Sequence, residues 1–152
     1  MIYWITGIVI LIADQAAKQL IRMYLAVGES MNIVGNFFRL THVENAGAAF
    51  GSMEGSRWFL VLLPVIFIVC GVFYMKKNKD EHWTVYLSIT AITAGGIGNL
   101  IDRVLAGTVT DMFDFSIFPP VFNIADIAIT LGCALLVFGI LFGEKLKKRN
   151  GK

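Results

Sequence analysis

Four long apolar runs constrain this chain more than any other feature of its sequence. They lie at about 2–25, 58–75, 83–103 and 124–143, and the second run, WFLVLLPVIFIVCGVFYM, contains no charged residue. Because an α-helix rises about 1.5 Å per residue, 18 residues span roughly 27 Å, which is enough to cross the hydrocarbon core of a bilayer. Of the 152 residues, 57% are hydrophobic, more than a soluble domain of this size can bury. The sequence therefore predicts an all-α membrane protein with four transmembrane helices, forming a single domain over residues 1–152.

The basic residues indicate how the helices are oriented. Segments 76–81 and 144–152 hold eight of the thirteen Lys and Arg residues, whereas segment 26–57 holds only Arg39 and Arg57. Because connections rich in Lys and Arg stay in the cytoplasm, both termini are expected to be cytoplasmic. Segments 26–57 and 104–123 are then expected on the outer face. The formal net charge of +2 is too small to indicate a nucleic-acid partner.

The connection after the first run has the pattern of a short β-structure. The β-prone stretch FFRLTHV at 37–43 lies between the turn residues Gly35-Asn36 and Asn45-Ala46-Gly47. This pattern predicts a small β-rich segment after the first helix, lying on the membrane surface.

Several reaction chemistries lack the residues they need. Cys70 and Cys133 lie inside apolar runs and are interpreted as small core residues, not as a disulfide or a metal site. The predicted topology puts His42 and His82 on opposite sides of the membrane, and the chain has no HExxH motif. We therefore expect no metal and no cofactor, and if the protein is an enzyme, carboxylates are its available reactive groups.

Charged residues interrupt the first run at a regular spacing. Asp14, Lys18 and Arg22 are four residues apart and share one face of the predicted helix. An Asp14–Lys18 pair would lower the cost of inserting both charges, which is a purely structural role. Charged groups inside spans are also candidates for function, and the two interpretations are compatible.

A second polar group ends the third run. By helical spacing, Gly95, Asn99, Asp102 and Arg103 are expected to share one face, and the glycines of GGIG permit close helix packing. Arg103 is a candidate partner for Asp102. Asp102 could equally serve only to terminate the span.

The fourth run begins with one charged residue, Asp126. Pro119-Pro120 should stop the preceding structure, Asn123 is a good N-cap, and Asp126 falls three residues later, where a carboxylate favours the helix dipole. Spacing alone favours this capping role. However, Asp111, Asp114 and Asp126 all precede or open this run, and no basic residue lies between positions 104 and 144. Catalysis by carboxylates is the alternative.

Five motifs are similar to those of a known family. They are DQAAK at 14–18, NAGAAFG at 45–51, GGIGNLIDR at 95–103, VTDMFDF at 109–115 and FNIADIAI at 122–129. In this order they resemble the bacterial lipoprotein signal peptidases, or signal peptidase II, over essentially the whole chain.

The resemblance implies an aspartyl peptidase in which Asp111 and Asp126 are the catalytic pair. It places seven further residues around them as polar support: Asp14, Lys18, Asn45, Asn99, Asp102, Arg103 and Asn123. The sequence itself does not separate Asp111 from Asp102 or Asp114. A proton- or ion-coupled transporter and a non-catalytic bundle are the alternatives; a transporter would need ionisable groups along a path that reaches both faces.

The resemblance also implies the substrate and the location. The substrate is a prolipoprotein signal peptide with a lipobox, and cleavage occurs just before a diacylglyceryl-modified cysteine. We expect a monomer in the bacterial cytoplasmic membrane, in contact with membrane lipid and with its active site at the outer face. Because Asp126 lies near a helix N-terminus, we expect it to favour the ionised form, so that Asp111 holds the proton shared by the pair.

Overall fold

Four α-helices form the body of the protein. The computed structural model describes residues 2–47, 57–79 and 81–150. Helix α1 covers Ile2–Tyr24, α2 Arg57–Lys77, α3 Trp83–Leu105 and α4 Ile124–Asn150. Each contains a stretch long and apolar enough to cross a membrane. The predicted all-α membrane class is confirmed, and the helix ends differ from the predicted spans by a few residues, apart from α4, which runs on to Asn150.

A four-stranded antiparallel sheet covers one end of the helices. Its strands are β1 (Ser30–Val34), β2 (Phe38–Asn45), β3 (Val109–Phe115) and β4 (Phe118–Phe122), in the order β1-β2-β3-β4. The first hairpin confirms the predicted β-structure after α1. The sheet lies where α1 and α3 end and where α2 and α4 begin, and we call this the sheet end of the bundle. Met112 of β3 packs there against Ile21 and Leu25.

The second hairpin differs from the prediction. Pro119 and Pro120 were expected to stop the structure before α4, but both lie inside strand β4. This strand is at the edge of the sheet, where a residue without a backbone N–H donor is tolerated.

Helix α3 is the centre of the bundle. In α3, 61% of the apolar span is buried, against 22% or less in the other three. Gly95 explains its close contact with α4, because a Cβ atom at that position would clash with the carbonyl oxygen of Ala125. The small residue therefore brings the middle of α3 directly against the first turn of α4.

The interpretation of the two cysteines as core residues is wrong. Both Cys70 and Cys133 are exposed on the surface of the helices. Their helices are apolar on nearly every side, so the sequence carries no periodic signal that separates a core-facing position from one facing lipid.

Candidate active site

The first turn of α4 is held by reciprocal hydrogen bonds. The Asn123 side-chain Oδ1 accepts the backbone N–H of Asp126 at 2.9 Å, and Asp126 Oδ2 accepts the backbone N–H of Asn123 at 3.2 Å. This geometry confirms the predicted cap. The other carboxylate oxygen of Asp126, Oδ1, accepts a hydrogen bond from Asn99 Nδ2 at 2.8 Å. Capping therefore occupies only part of the Asp126 carboxylate.

Asp111 reaches the same place from strand β3. Its Oδ1 accepts a hydrogen bond from Asn123 Nδ2 at 2.6 Å, and its Oδ2 accepts one from Asn45 Nδ2 at 2.9 Å. The side chain is 2% exposed. Burial, reinforced by the nearby charge of Asp126, raises the pKa of Asp111 to about 6 despite the two amide donors. This carboxyl group therefore keeps its proton closer to neutral pH than an ordinary aspartate.

Both carboxylates line one cavity of about 450 Å³. Asn45, Asn99 and Arg103 add polar groups to its wall, while β4 and the first turns of α4 supply mainly apolar side chains. The cavity thus presents a small polar centre within an apolar surround, which is typical of a site that orients an apolar ligand.

A buried cation lies behind the carboxylates. Lys18 is fully buried, and its Nζ lies 2.8 Å from Asp14 Oδ2, 3.1 Å from Asp102 Oδ2 and 2.9 Å from Asn99 Oδ1. Arg22 Nη2 lies 3.0 Å from Asp102 Oδ1, although without the alignment of a hydrogen bond. Two cations therefore face two carboxylates, as a buried charge cluster requires.

Asp14 connects this cluster to α4. Its Oδ1 accepts the backbone N–H of Ala125 at 2.8 Å, so that a residue of α1 caps the neighbouring helix. The Asp14–Lys18 pair is present, and it also supports the helix start that holds Asp126. Both interpretations of the charged stripe on α1 are therefore compatible with the structure.

Asp102 and Arg103, the candidate partners at the end of α3, contact different parts of the protein. The Asp102 carboxylate faces α1 and also accepts the backbone N–H of Thr110 at 3.3 Å. Arg103 Nη2 donates to the carbonyl oxygen of Gly47 at 3.2 Å, and its side chain lines the cavity. Consecutive residues on a helix point about 100° apart, so these two side chains serve different faces of α3.

Asp114 has a separate environment on the same strand. Its Oδ2 lies 2.6 Å from Arg39 Nη2 and accepts a hydrogen bond from Thr41 Oγ1 at 2.8 Å. The cation that the neighbouring sequence lacked is therefore supplied by β2. This contact distinguishes Asp114 from the two carboxylates in the cavity.

The structure brings all nine predicted site residues into one neighbourhood. Five line the cavity, namely Asn45, Asn99, Arg103, Asp111 and Asp126. Four stand behind it through hydrogen bonds or ion pairs: Asp14, Lys18, Asp102 and Asn123. Positions 48–51 of the NAGAAFG motif lie outside the described residues. Within the part of the chain that the structure describes, no three His, Cys, Asp or Glu side chains are grouped as a metal site.

Thr110 and Arg22 are neighbours of the site that the predicted set did not include. Arg22 Nε donates to Thr110 Oγ1 at 2.8 Å, which links α1 to β3 directly before Asp111. The spacing of Arg22 four residues after Lys18 is a sequence signal for Arg22. Nothing local distinguishes Thr110.

Comparison with known proteins gives a consistent result over nearly the whole chain. The profile of the family described as Signal peptidase (SPase) II matches residues 6–142. A lipoprotein signal peptidase of Desulfitobacterium hafniense (strain DSM 10664 / DCB-2) is 39% identical over 152 residues, covering 99% of each chain. A lipoprotein signal peptidase of Brevibacillus brevis is 34% identical over 144 residues, covering 94% of this chain and 97% of that one.

Solved structures agree with the sequence comparisons. A bacterial membrane enzyme solved at 2.3 Å resolution by the in meso method superposes with a TM-score of 0.86 at 32% identity, covering 91% of this chain and 87% of that one. A second, solved at 1.9 Å, gives a TM-score of 0.83, also at 32% identity, with 91% and 92% covered.

Proposed function

Because this chain belongs to the signal peptidase II family, and is thus an aspartyl peptidase that cleaves prolipoprotein signal peptides, we propose that Asp111 and Asp126 are its catalytic pair. The observation that carries the proposal is that both carboxylates line one cavity and that Asn123 donates a hydrogen bond to each of them, from its side-chain Nδ2 to Asp111 and from its backbone N–H to Asp126. A pair of carboxyl groups sharing one proton suits the hydrolysis of a peptide bond.

The surroundings of the two carboxylates support different roles for them. Asp126 accepts hydrogen bonds at a helix N-terminus, where the dipole and the free N–H groups stabilise a negative charge. Asp111 lies on strand β3, where no helix N-terminus stabilises its charge, and its pKa is raised to about 6 because burial disfavours the charged form. We therefore assign the shared proton mainly to Asp111.

The reaction then proceeds in two steps. Asp126 takes a proton from water as the water oxygen attacks the scissile carbonyl carbon, and Asp111 gives its proton to the carbonyl oxygen. In the second step the carbon–nitrogen bond breaks, the proton on Asp126 passes to the leaving amine, and a hydroxyl proton of the intermediate returns to Asp111. One water is consumed, and the pair regains its starting protonation.

The remaining polar residues hold the pair and the cavity wall in position. Asn99 joins the two sides of the site, because it donates to Asp126 and accepts from Lys18. Asn45 donates to Asp111, while its own Oδ1 accepts the N–H of Gly47. Arg103 donates to the same Gly47 from α3. Asn45 and Arg103 thereby shape one edge of the cavity for an extended peptide.

The apolar part of the cavity supports a lipid-modified substrate. Phe118, Val121 and Phe122 of β4 and Ile127 of α4 line it, next to the carboxylates. Apolar side chains at this position suit the diacylglyceryl-cysteine of a lipobox, with cleavage just before that cysteine. The chains of the lipid would then remain in the bilayer.

Cleavage of a synthetic peptide tests the catalytic pair. Purified protein should cut a diacylglyceryl-modified lipobox peptide before the cysteine, and Asp111→Asn or Asp126→Asn should lower the rate by roughly 10²- to 10⁴-fold. Asp114→Asn is the matched control, because Asp114 lies on the same strand but pairs with Arg39. Equal loss in all three variants would contradict the assignment, and ion flux without cleavage would favour a transporter.

The orientation in the membrane can be tested separately. We propose that both termini are cytoplasmic and that the sheet end lies at the outer face of the cytoplasmic membrane. In a chain with Cys70→Ala and Cys133→Ala, a membrane-impermeant maleimide should label Asn32→Cys in intact cells. Asn78→Cys should react only after lysis, and the reverse pattern would overturn the proposed topology. We also propose a monomer, which the mass of the protein–detergent complex checks.

A further inference from the structure

A buried histidine and a glutamate on β2 play no part in the reaction described above. His42 is 4% exposed, and its Nε2 lies 3.0 Å from Glu44 Oε1. The two residues are two positions apart on one strand, so their side chains leave the same face of the sheet. The pair lies at the sheet end, between α1 and β3.

The contacts of His42 suit protons on both ring nitrogens. Its Nδ1 lies 2.8 Å from the carbonyl oxygen of Leu25, which has no hydrogen to donate. Its other nitrogen faces the carboxylate of Glu44. Burial raises the pKa of Glu44, but hydrogen bonds from Thr108, His42 and Thr110, together with the charge of His42, outweigh burial, so that this pKa lies below its ordinary value. An acceptor at each nitrogen suits an imidazolium, in which both nitrogens donate.

The position at the end of α1 favours the same charge. Leu25 directly follows α1, and its carbonyl belongs to the last turn, where helix carbonyls lack intrahelical partners and the dipole is negative. The backbone of His42 also ties this region together, because its N–H donates to Glu29 and its carbonyl accepts from Gly28. His42 therefore fastens the end of α1 to β2.

Glu44 carries the contact on to β3. Its Oε1 accepts from Thr110 Oγ1 at 3.0 Å, and its Oε2 accepts from Thr108 Oγ1. Thr110 directly precedes Asp111, and Asn45, which donates to Asp111, directly follows Glu44. Glu44 and Thr110 also face each other in the β2–β3 register. The pair thus contacts Thr110, which precedes Asp111 in the chain, and directly precedes Asn45, which donates to Asp111.

We propose that the ion pair of His42 and Glu44 is a positioning element for Asp111, and that the enzyme needs His42 in its doubly protonated form. The proposal rests on the catalytic role proposed for Asp111. Neither side chain lines the cavity, so the effect falls on the geometry of Asp111 rather than on substrate binding. Loss of one proton from His42 leaves a nitrogen lone pair against an oxygen, which loosens β2 from α1 or from β3.

Other charged groups stand on the elements around His42. They are Arg22 on α1, Glu29 on the connection to β1, Asp102 on α3, and Asp111 and Asp114 on β3. Arg22 is tied to Thr110 and Asp102, and Asp114 to Arg39. Glu29 is exposed and accepts the N–H of Ala26. Glu44 is the carboxylate that contacts the imidazole ring.

The first measurement observes the wild-type protein directly. With ¹⁵N-labelled histidine, the His42 signals, assigned by their loss in His42→Gln, should show both nitrogens protonated at pH 7. A neutral His42 at that pH overturns the proposal, and this readout does not depend on activity. It is therefore decisive even if a variant does not fold.

The second measurement compares kcat and KM at pH 7. Glu44→Gln keeps the size of the side chain but removes the counter-charge from His42. This change should lower kcat about tenfold with KM little changed, as small misplacements of a reacting group do. Glu29→Gln, the matched control, should leave both kcat and KM unchanged.

The outcomes separate this proposal from the catalytic assignment. If kcat is the same in Glu44→Gln as in the wild type, or if KM changes instead of kcat, the positioning role is wrong. If instead Asp111→Asn retains full activity, the catalytic assignment itself fails, whatever the protonation of His42.

Discussion

Replacing Asp111 by asparagine should reverse the stability ranking of the wild type and the variant as the pH rises. The pKa of Asp111 is raised from its ordinary value of 3.8 to about 6. At 1.36 kcal/mol per pKa unit, the ionised folded form is disfavoured by about 3 kcal/mol. Asparagine carries no charge and escapes this cost.

The direction in which the free energy of unfolding changes with pH follows from proton linkage. Between about pH 4 and pH 6 the folded wild type holds a proton that the unfolded chain has released, so its free energy of unfolding falls as the pH rises. It levels off above about pH 7, once both states are ionised. The free energy of unfolding of Asp111→Asn, relative to the wild type, should therefore rise by about 3 kcal/mol across this range.

A second contribution does not depend on pH. The Asp111 carboxylate accepts amide N–H groups from Asn45 and Asn123, whereas an asparagine offers one acceptor oxygen and turns its own NH₂ toward the other donor. A lost hydrogen bond costs about 1 kcal/mol. The variant should thus be less stable than the wild type by about 1 kcal/mol near pH 4, and more stable by about 2 kcal/mol above pH 7.

Denaturant unfolding in detergent micelles, followed by tryptophan fluorescence at several pH values, measures this difference. Asp114→Asn makes the same chemical change on the same strand but breaks an ion pair with Arg39, so it should destabilise the protein at neutral pH. A difference between Asp111→Asn and the wild type that stays flat or falls with pH would refute the reasoning, because Asp111 would then be an ordinary ionised carboxylate.

Two further substitutions test the framework behind the cavity. Lys18→Met leaves the buried carboxylates of Asp14 and Asp102 without their shared cation. The free energy of unfolding should therefore fall by about 3–5 kcal/mol, the cost of breaking a buried pair. A stabilised variant would contradict this expectation and would mean that apolar packing stabilises the protein more than the charge cluster does. Gly95→Ala puts a methyl group against the Ala125 carbonyl oxygen, so it should cost about 1–3 kcal/mol in the same unfolding assay and reduce cleavage. Gly96→Ala, whose nearest neighbour would be 3.8 Å away, is the control and should have little effect on either measurement.

Much of the helical framework was predictable because its signals are local. A run of apolar residues long enough to span a bilayer is visible in the sequence alone, and so is the spacing of Asn123 and Asp126 that makes a helix cap. The spacing of Asp14 and Lys18 likewise predicted their ion pair. In each case the geometry of one helix sets the distance between the two residues.

The β-structure and the lipid-facing surface were less predictable. The sequence does not predict the hairpin β3–β4, because Pro119 and Pro120 normally end regular structure. Their position on an edge strand of the sheet permits them. The exposure of Cys70 and Cys133 depends on which sides of their helices meet neighbours. An apolar helix in a membrane protein gives no such sign, because lipid and core are equally apolar.

What the sequence alone determined is the set of spans, the charged stripe on α1 and the capped start of α4, since helix geometry acts over a few residues. The tertiary structure decided which aspartate faces Asp126. Asp111 accepts a hydrogen bond from Asn45, 66 positions earlier, whereas Asp114 accepts one from Arg39, 75 positions earlier. Asp102 turns to α1 instead. Three aspartates of similar local context thus acquire different neighbours, because the register of β2 on β3 and the packing of α3 on α1 and α4 bring together residues that lie far apart along the chain.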